Sequence, residues 1–525
     1  MAVLALAAGS SAFPAAAQGR GEAREGTFSP TPCWFHTPRP HSATCGHLLA
    51  PERHGDAASR LLHLPVAIFT AGTALPLPPL LFIDGGPGSD GSLGNAHAGR
   101  TWADLMADAP FLRGRRVIVM AQRGTADETS RHMACSTLGS PLLRAGISSN
   151  GAREPDIATQ ARQALAACRE EALAAGYDLI TYSTENAARD LGLLRRALGL
   201  ERWDILGVSY GARVGLTLMA HDPDGVRAAV FDGPDLPGSY AAFAVADRLK
   251  ALLAQLQADC LRHGRCGKSF PTIASNLRTT LMNVAKKSPR VGFRVGDKEA
   301  IQFITLTPKR VLSILTSSFY TESALALLPR ALHRASRRDF SVLAALGGAL
   351  FLDPFLTDRA YGMTLSVDCQ DFAAQRIATV LDSQAARDPL FAPLVEDMRE
   401  NFIDTCAAWL GAPRPSLAPA HDTVFPQPIL FISGVYDPVT PLSAVEETAA
   451  RFPNSHRITV AALGHSVLFR DACPDEIAAA FFQKPEAAPD SACLARMPQT
   501  PDFDTTRNPA PRRPFVHVTT EASRK

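Results

Sequence analysis

The chain carries almost no net charge. Its 53 lysines and arginines meet 51 aspartates and glutamates, leaving +2 at pH 7. It therefore lacks the electrostatic footprint of a nucleic-acid binder. Lysine is scarce, and the arginines that replace it are spread along the sequence rather than gathered in a patch. Long apolar runs are also missing. Beyond the first residues none could cross a bilayer, so no membrane span is expected. There is no Cys-x-x-Cys pair and no Cys/His cluster, so nothing calls for zinc, and no feature calls for an organic cofactor. Internal repeats are absent. What remains is 46% hydrophobic and 20% charged over 525 residues. That is an ordinary globular composition, with length enough for one large domain with insertions or for two domains.

Two features speak for export. Ala2 to Ala8 is a short apolar run leading to Ala15-Ala16-Ala17. This pattern predicts a signal peptide over residues 1–17, although the usual basic start is missing. The cysteines number ten, an even count whose close neighbours suggest local bridges: Cys33–Cys45, Cys135–Cys168, Cys260–Cys266, Cys369–Cys406 and Cys473–Cys493. Sequence alone does not prove connectivity, and the alternative is buried, reduced thiols. Together these features imply a periplasmic or secreted protein.

Taken in order, residues 18–32 read as a polar, loose arm and Cys33 to Ala50 as a looped lead-in. Strands are expected at Leu61–Thr70, Leu80–Asp84 and Arg116–Ala121. Helical spacing covers Ile157–Ala175 and Glu185–Leu198, the latter capped by Ser183 or Thr184. An apolar run from Trp203 is followed by a helical segment, Ala212–Ala220, and by a strand at Val226–Asp232. Strands alternating with helices between about 80 and 233 signal a mostly parallel sheet covered by helices. From about Pro234 to Pro426 the alternation stops. This part is mainly helical, as in Ala241–Leu261, Thr307–Ser317 and Ser323–Arg337, and reads as an insertion covering the sheet's edge. Strands return at Pro428–Ser433 and Arg457–Ala461, with helices at Pro441–Arg451 and Pro474–Phe482. The expected division is a core over 33–233 and 427–493, a helical cap insertion over 234–426, and a disordered tail over 494–525.

The chain is organised around Gly207-Val208-Ser209-Tyr210-Gly211, set between a strand and a helix. A serine exposed on a sharp strand-to-helix turn needs small neighbours on both sides, and Gly207 and Gly211 supply them. A serine hydroxyl is a weak nucleophile at neutral pH. It needs a base to take its proton and an acid to orient that base. In a sheet of this kind they follow in the order Ser, Asp, His. Asp437 lies in the loop after one late strand and His465 in the loop after the next. The expected triad is Ser209, Asp437 and His465. Taken singly, each has a blander reading: a turn or helix cap for Asp437, a core or surface residue for His465. Their agreement in type, order and strand-end position favours the triad. Developing negative charge on a reacting carbonyl needs preformed N–H donors. Tyr210 N–H is one. The second is expected from Gly85-Gly86-Pro87-Gly88, with Gly86 preferred over Gly85.

Here the motifs carry a resemblance. Asp84-Gly85-Gly86-Pro87-Gly88 resembles the Gly-Gly-Pro-Gly loop of the prolyl iminopeptidases and tripeptidyl aminopeptidases, serine peptidases of the α/β-hydrolase fold. Gln122-Arg123-Gly124-Thr125 is similar to their Arg-Gly strand end. The Ser209-Tyr210-Gly211 elbow, Asp437-Pro438-Val439-Thr440-Pro441 and Gly464-His465-Ser466 match their remaining loops. Cys473 and Cys493 resemble the C-terminal region of the secreted tripeptidyl group. The similarity runs from about Cys33 to Cys493. Asp84 stands where many relatives have His, and Ala121 where the family has Asp. The resemblance implies an α/β-hydrolase fold with a large, mainly helical cap insertion. It implies an aminopeptidase acting on peptides with a free N-terminus, whose ammonium an acidic group in the insertion would bind. Asp368 and Asp371 are candidates, against a reading as solvated or bridge-adjacent acids. The alternatives are an esterase or other small-molecule hydrolase with the same triad, or a non-catalytic hydrolase-like binding protein.

Overall fold

The structure is a computed structural model. It describes residues 24–72, 77–125, 154–293, 301–351, 359–385, 387–411 and 423–505, together with Met133, Cys135 and Leu138. The expected signal peptide lies outside the described residues, as does the tail beyond 505.

A nine-stranded sheet forms the centre, in the order β1-β2-β3-β5-β4-β6-β7-β10-β11. Strands β4 (Leu80–Ile83), β5 (Arg116–Met120), β6 (Trp203–Val208), β7 (Val226–Asp232), β10 (Ile429–Gly434) and β11 (Ser455–Val460) run parallel. β1 (Thr27–Thr31), β2 (Ser42–Pro51) and β3 (Leu61–Thr70) extend the sheet antiparallel. The parallel strands read as continuous apolar runs because both of their faces are covered. Leu81, Ile83 and Ile205 point into the layer under the helices Thr184–Ala197 and Tyr210–His221. Leu80, Leu206 and Val230 point the other way, toward Trp102 and Phe481.

The N-terminal region departs from expectation. The stretch expected as a loose arm contains β1, and the looped lead-in contains the ten-residue β2, paired from Ser42 opposite Thr70 to Pro51 opposite Leu61. β2 turns inward on both faces over its second half, so no alternation of polar and apolar residues marks it. The tail was expected to loosen from residue 494. Within 494–505 its end is anchored instead: Phe503 is buried in the insertion's core and Asp504 pairs with Arg330 at 3.1 Å.

Between β7 and β10 the chain is largely helical. Its helices include Val245–Arg262, Ile273–Lys286, Pro308–Ser318, Glu322–Ala335 and Tyr361–Asp371, with one small hairpin, β8 (Arg290–Phe293) with β9 (Gln302–Thr305). Leu249, Leu256, Leu277, Leu312 and Leu328 give this segment an apolar core of its own. All five expected cysteine pairs are disulfides.

Candidate active site

Parallel strands finish at one edge, so the loops after β4, β6, β7, β10 and β11 converge there. Ser209 follows β6 directly and holds φ 55° and ψ −120°, outside the regions an ordinary side chain prefers. Its neighbours explain how the turn closes. A methyl group on Gly211 would stand 2.1 Å from the Ile83 carbonyl oxygen, and one on Gly207 would meet the Gly211 carbonyl oxygen at 2.7 Å. Only glycine permits either approach. Ser209 N–H donates to the Asp232 carbonyl at 2.9 Å, and the Ser209 carbonyl accepts from Asp235 N–H at 3.1 Å.

His465 and Asp437 meet at this edge. Their Nδ1–Oδ2 separation is 2.7 Å, and both are buried. Asp437 accepts three more hydrogen bonds: Val439 N–H at 2.9 Å and Thr440 N–H at 2.8 Å on Oδ1, and the Thr440 hydroxyl at 2.6 Å on Oδ2. Burial works against its charge, but His465 beside it and the donors from Thr440 hold its carboxyl below the ordinary aspartate value. Thr440 Oγ1 also lies 3.2 Å from His465 Nδ1. The pair packs against Gly233, where an added methyl would stand 3.1 Å from the imidazole and 3.2 Å from Asp437 Oδ2. Gly233 directly follows Asp232, the residue that receives the Ser209 amide. Ser209 and the His465–Asp437 pair are thus assembled on adjacent residues at the end of β7. Among the described residues no hydrogen bond joins Ser209 Oγ to His465. In unliganded hydrolases that link is often long, and it tightens only with substrate.

Asp232 does more than its carbonyl alone. Its carboxylate accepts Val467 N–H at 2.8 and 2.9 Å and Leu468 N–H at 2.9 Å, fixing the turn just beyond His465. The base loop also lies tight against the insertion, since a methyl on Gly464 would stand 2.0 Å from the Phe319 carbonyl oxygen. Tyr436, next to Asp437, donates its hydroxyl to Asp259 of the helix Val245–Arg262 at 2.6 Å.

The glycine loop after β4 borders Ser209, and a methyl on Gly85 would stand 3.1 Å from the serine Cβ. Gly85 N–H donates to the Asp84 side chain at 2.7 Å. The amides of Gly86 and Tyr210 have no acceptor among the described residues. Of the two glycines considered, Gly86 is the one whose donor is available. Arg123, in the strand-end motif, faces away from this chemistry. It is fully buried, pairs with Asp190 at 2.6 Å, and donates to the carbonyls of Pro51, Glu52 and Thr181.

The two candidate amine-binding acids differ. Asp371 is occupied: it accepts Arg213 Nη1 at 2.9 Å and the Thr184 hydroxyl at 2.5 Å, while Thr184 Oγ1 lies 2.9 Å from the Tyr210 hydroxyl. Arg213 also pairs with Asp235. Asp368 is partly buried and has no hydrogen-bond partner. Burial, with Asp371 and Asp235 nearby, outweighs Arg213 and pushes its carboxyl up to about 7. Sequence reasoning did not find Asp232, Thr440 or the Arg213 network. In the sequence, only the strand-end position of Asp232 pointed toward the site.

Comparison with known proteins agrees with this architecture. Residues 78–259 match the family described as alpha/beta hydrolase fold, and residues 392–493 match the TAP-like protein family. Serine protease Hip1 of Mycobacterium tuberculosis is 24% identical over 487 residues, covering 86% of this chain and 88% of the relative. The Mycobacterium bovis protein of that name matches equally. Among solved structures, a proline iminopeptidase from Mycobacterium smegmatis aligns over 83% of this chain and 97% of its own, at 15% identity and a TM-score of 0.36. The chain has the α/β-hydrolase fold, and the segment that matches the TAP-like family includes the loops of Asp437 and His465.

Proposed function

We propose that this chain is an exported serine aminopeptidase, releasing residues or short peptides from free N-termini. Ser209 attacks the scissile carbonyl while His465 accepts its proton. The oxyanion forms against the amides of Tyr210 and Gly86. His465 then protonates the leaving amine, and water hydrolyses the acyl-enzyme by the same route in reverse. Asp437 holds the imidazole and stabilises its cationic form. The observation that carries this reading is the buried His465–Asp437 pair packed on Gly233, one residue from the acceptor of the Ser209 amide. Peptides as substrates are supported by the similarity to a serine protease across most of both chains.

The free amine is the finer part of the proposal. We read Asp368 as its anchor, because its carboxylate has no partner while Asp371 and Asp235 are both paired with Arg213. The helical segment over 234–426 then acts as a cap that limits entry to chain ends. The five disulfides support an extracytoplasmic location, periplasmic or secreted.

The test is a panel of one-, two- and three-residue aminoacyl-anilides, each with free and acetylated N-termini, beside an aryl acetate. Preference for the free amine supports the proposal and gives the length of the released unit. Fast ester turnover with indifference to the amine would make the chain an esterase. Ser209→Ala should remove nearly all turnover, with only binding and oxyanion stabilisation left. Wild-type-like turnover by Ser209→Ala would overturn the assignment of the nucleophile.

A further inference from the structure

A second charged feature lies close to the His465–Asp437 pair. Arg248, in the first turn of the helix Val245–Arg262, is 9% exposed. Its Nη1 donates to the carbonyls of Ala241 at 3.0 Å and Ala242 at 2.7 Å, and its Nε is buried without a partner. It forms no ion pair among the described residues. Buried cations are normally matched by carboxylates, because an unmatched one loses its hydration for nothing. The acid whose field it feels is Asp437, already committed to His465 and Thr440.

Tyr320 is within electrostatic reach of Arg248. Its ring meets the His465 imidazole edge-on, with centroids 5.3 Å apart. Its hydroxyl has no hydrogen-bond partner among the described residues, and its surroundings include the charges of both Arg248 and Arg359. A phenol without a hydrogen-bond partner, packed on the His465 ring, and a guanidinium without an ion-pair partner of its own therefore come together near the His465–Asp437 pair. His465 delivers its proton to the leaving amine, so the portion of substrate beyond the scissile bond lies on this side.

We propose that Arg248 and the Tyr320 hydroxyl form a carboxylate-binding subsite for the leaving portion of the substrate. The favoured peptides carry an anion shortly after the scissile bond, supplied by the C-terminal carboxylate of a short peptide or by an acidic side chain. Such an anion supplies the counter-charge that Arg248 lacks and an acceptor for the free phenol. Together with Asp368 as the anchor of the N-terminal ammonium, such a subsite suits a short zwitterionic peptide. This inference rests on the peptidase reading.

Two peptide pairs test it with the full-length enzyme. One pair differs only in a C-terminal carboxylate against a carboxamide. The other, amidated throughout, has Glu against Gln at the first position after the cut. A charge-assisted contact should favour the anionic member of at least one pair by roughly tenfold in kcat/KM, mainly through KM. Whichever pair responds identifies the source of the carboxylate. Arg248→Gln should bring that ratio toward one, Arg248→Lys should retain part of it, and Tyr320→Phe should lower it. Should Arg248→Gln fail to fold, Tyr320→Phe and the wild-type ratios decide the matter. Wild-type ratios within twofold in both pairs, or an undiminished ratio in Arg248→Gln, would overturn the subsite. If none of the four peptides is cleaved, the peptidase reading falls and the subsite with it. Four peptides cleaved equally would remove the subsite alone.

Discussion

Thr440 touches both members of the acid–base pair, with its hydroxyl on Asp437 Oδ2 and 3.2 Å from His465 Nδ1. Replacing it with valine keeps the shape and removes the hydroxyl. A hydrogen bond to a charged group contributes about 1.5–3 kcal/mol, so Thr440→Val should lower kcat by roughly tenfold or more with KM little changed, and Thr440→Ser should restore most of it. An unaltered kcat in the valine variant would mean that the backbone donors alone hold Asp437. Asp368 gives a prediction in pH. A carboxyl whose folded value is raised makes the native state bind more protons than the unfolded chain, so its ionisation costs stability as pH climbs from near 4 to about 7. Asp368→Asn should therefore match wild type at pH 4 and exceed it at pH 8 in denaturant unfolding. The same ionisation should strengthen ammonium binding. The ratio of kcat/KM for a free-amine substrate over its acetylated counterpart should rise through about pH 7, then fall as the α-amine itself loses its proton near pH 8. A flat ratio in wild type, or an equal rise in Asp368→Asn, would remove Asp368 from amine recognition.

At the scale of the element, the helix Val245–Arg262 is joined to the acid loop by one buried hydrogen bond, Tyr436 to Asp259. Tyr436→Phe leaves a buried carboxylate short of a donor, at a cost of about 1–3 kcal/mol. Urea unfolding should register that loss, and kcat should fall modestly because Tyr436 precedes Asp437; unchanged stability would mean that Arg262 and Gln255 satisfy Asp259 by themselves. The sequence made the strand-end elements legible for a physical reason. Parallel strands are continuous apolar runs with abrupt polar ends, and the residues at those ends, Ser209, Asp437 and His465, have unmistakable chemistry. The helix caps were equally readable: Ser183 accepts the Asn186 amide at 3.3 Å. β2 was not legible, because an antiparallel strand covered on both faces over half its length has no alternation to see. Asp232 and Arg213 were not legible either. Each is an ordinary charged residue until the fold brings Val467, or Asp371, across a separation of 235 or 158 positions.

Across the whole molecule, the sheet and the helical segment each have their own apolar core, and the site lies where loops from one meet helices of the other. The disulfides are all local in sequence, the widest spanning 37 residues. They therefore brace individual regions rather than lock the two cores together, and Cys369–Cys406 braces the helix that carries Asp368 and Asp371. Cohesion between Ser209 and the His465 loop has a different origin, the single residue Asp232. Its carbonyl holds the amide of Ser209 and its carboxylate holds the turn after His465. Warming that loosens the sheet edge would carry both partners on the same strand end, so their separation survives motions that would misalign residues held on independent supports. Heat should then inactivate the enzyme only as the fold itself melts, with residual activity and loss of tertiary signal following one curve. In Asp232→Asn, which cannot accept the same amides from both oxygens, inactivation should come first.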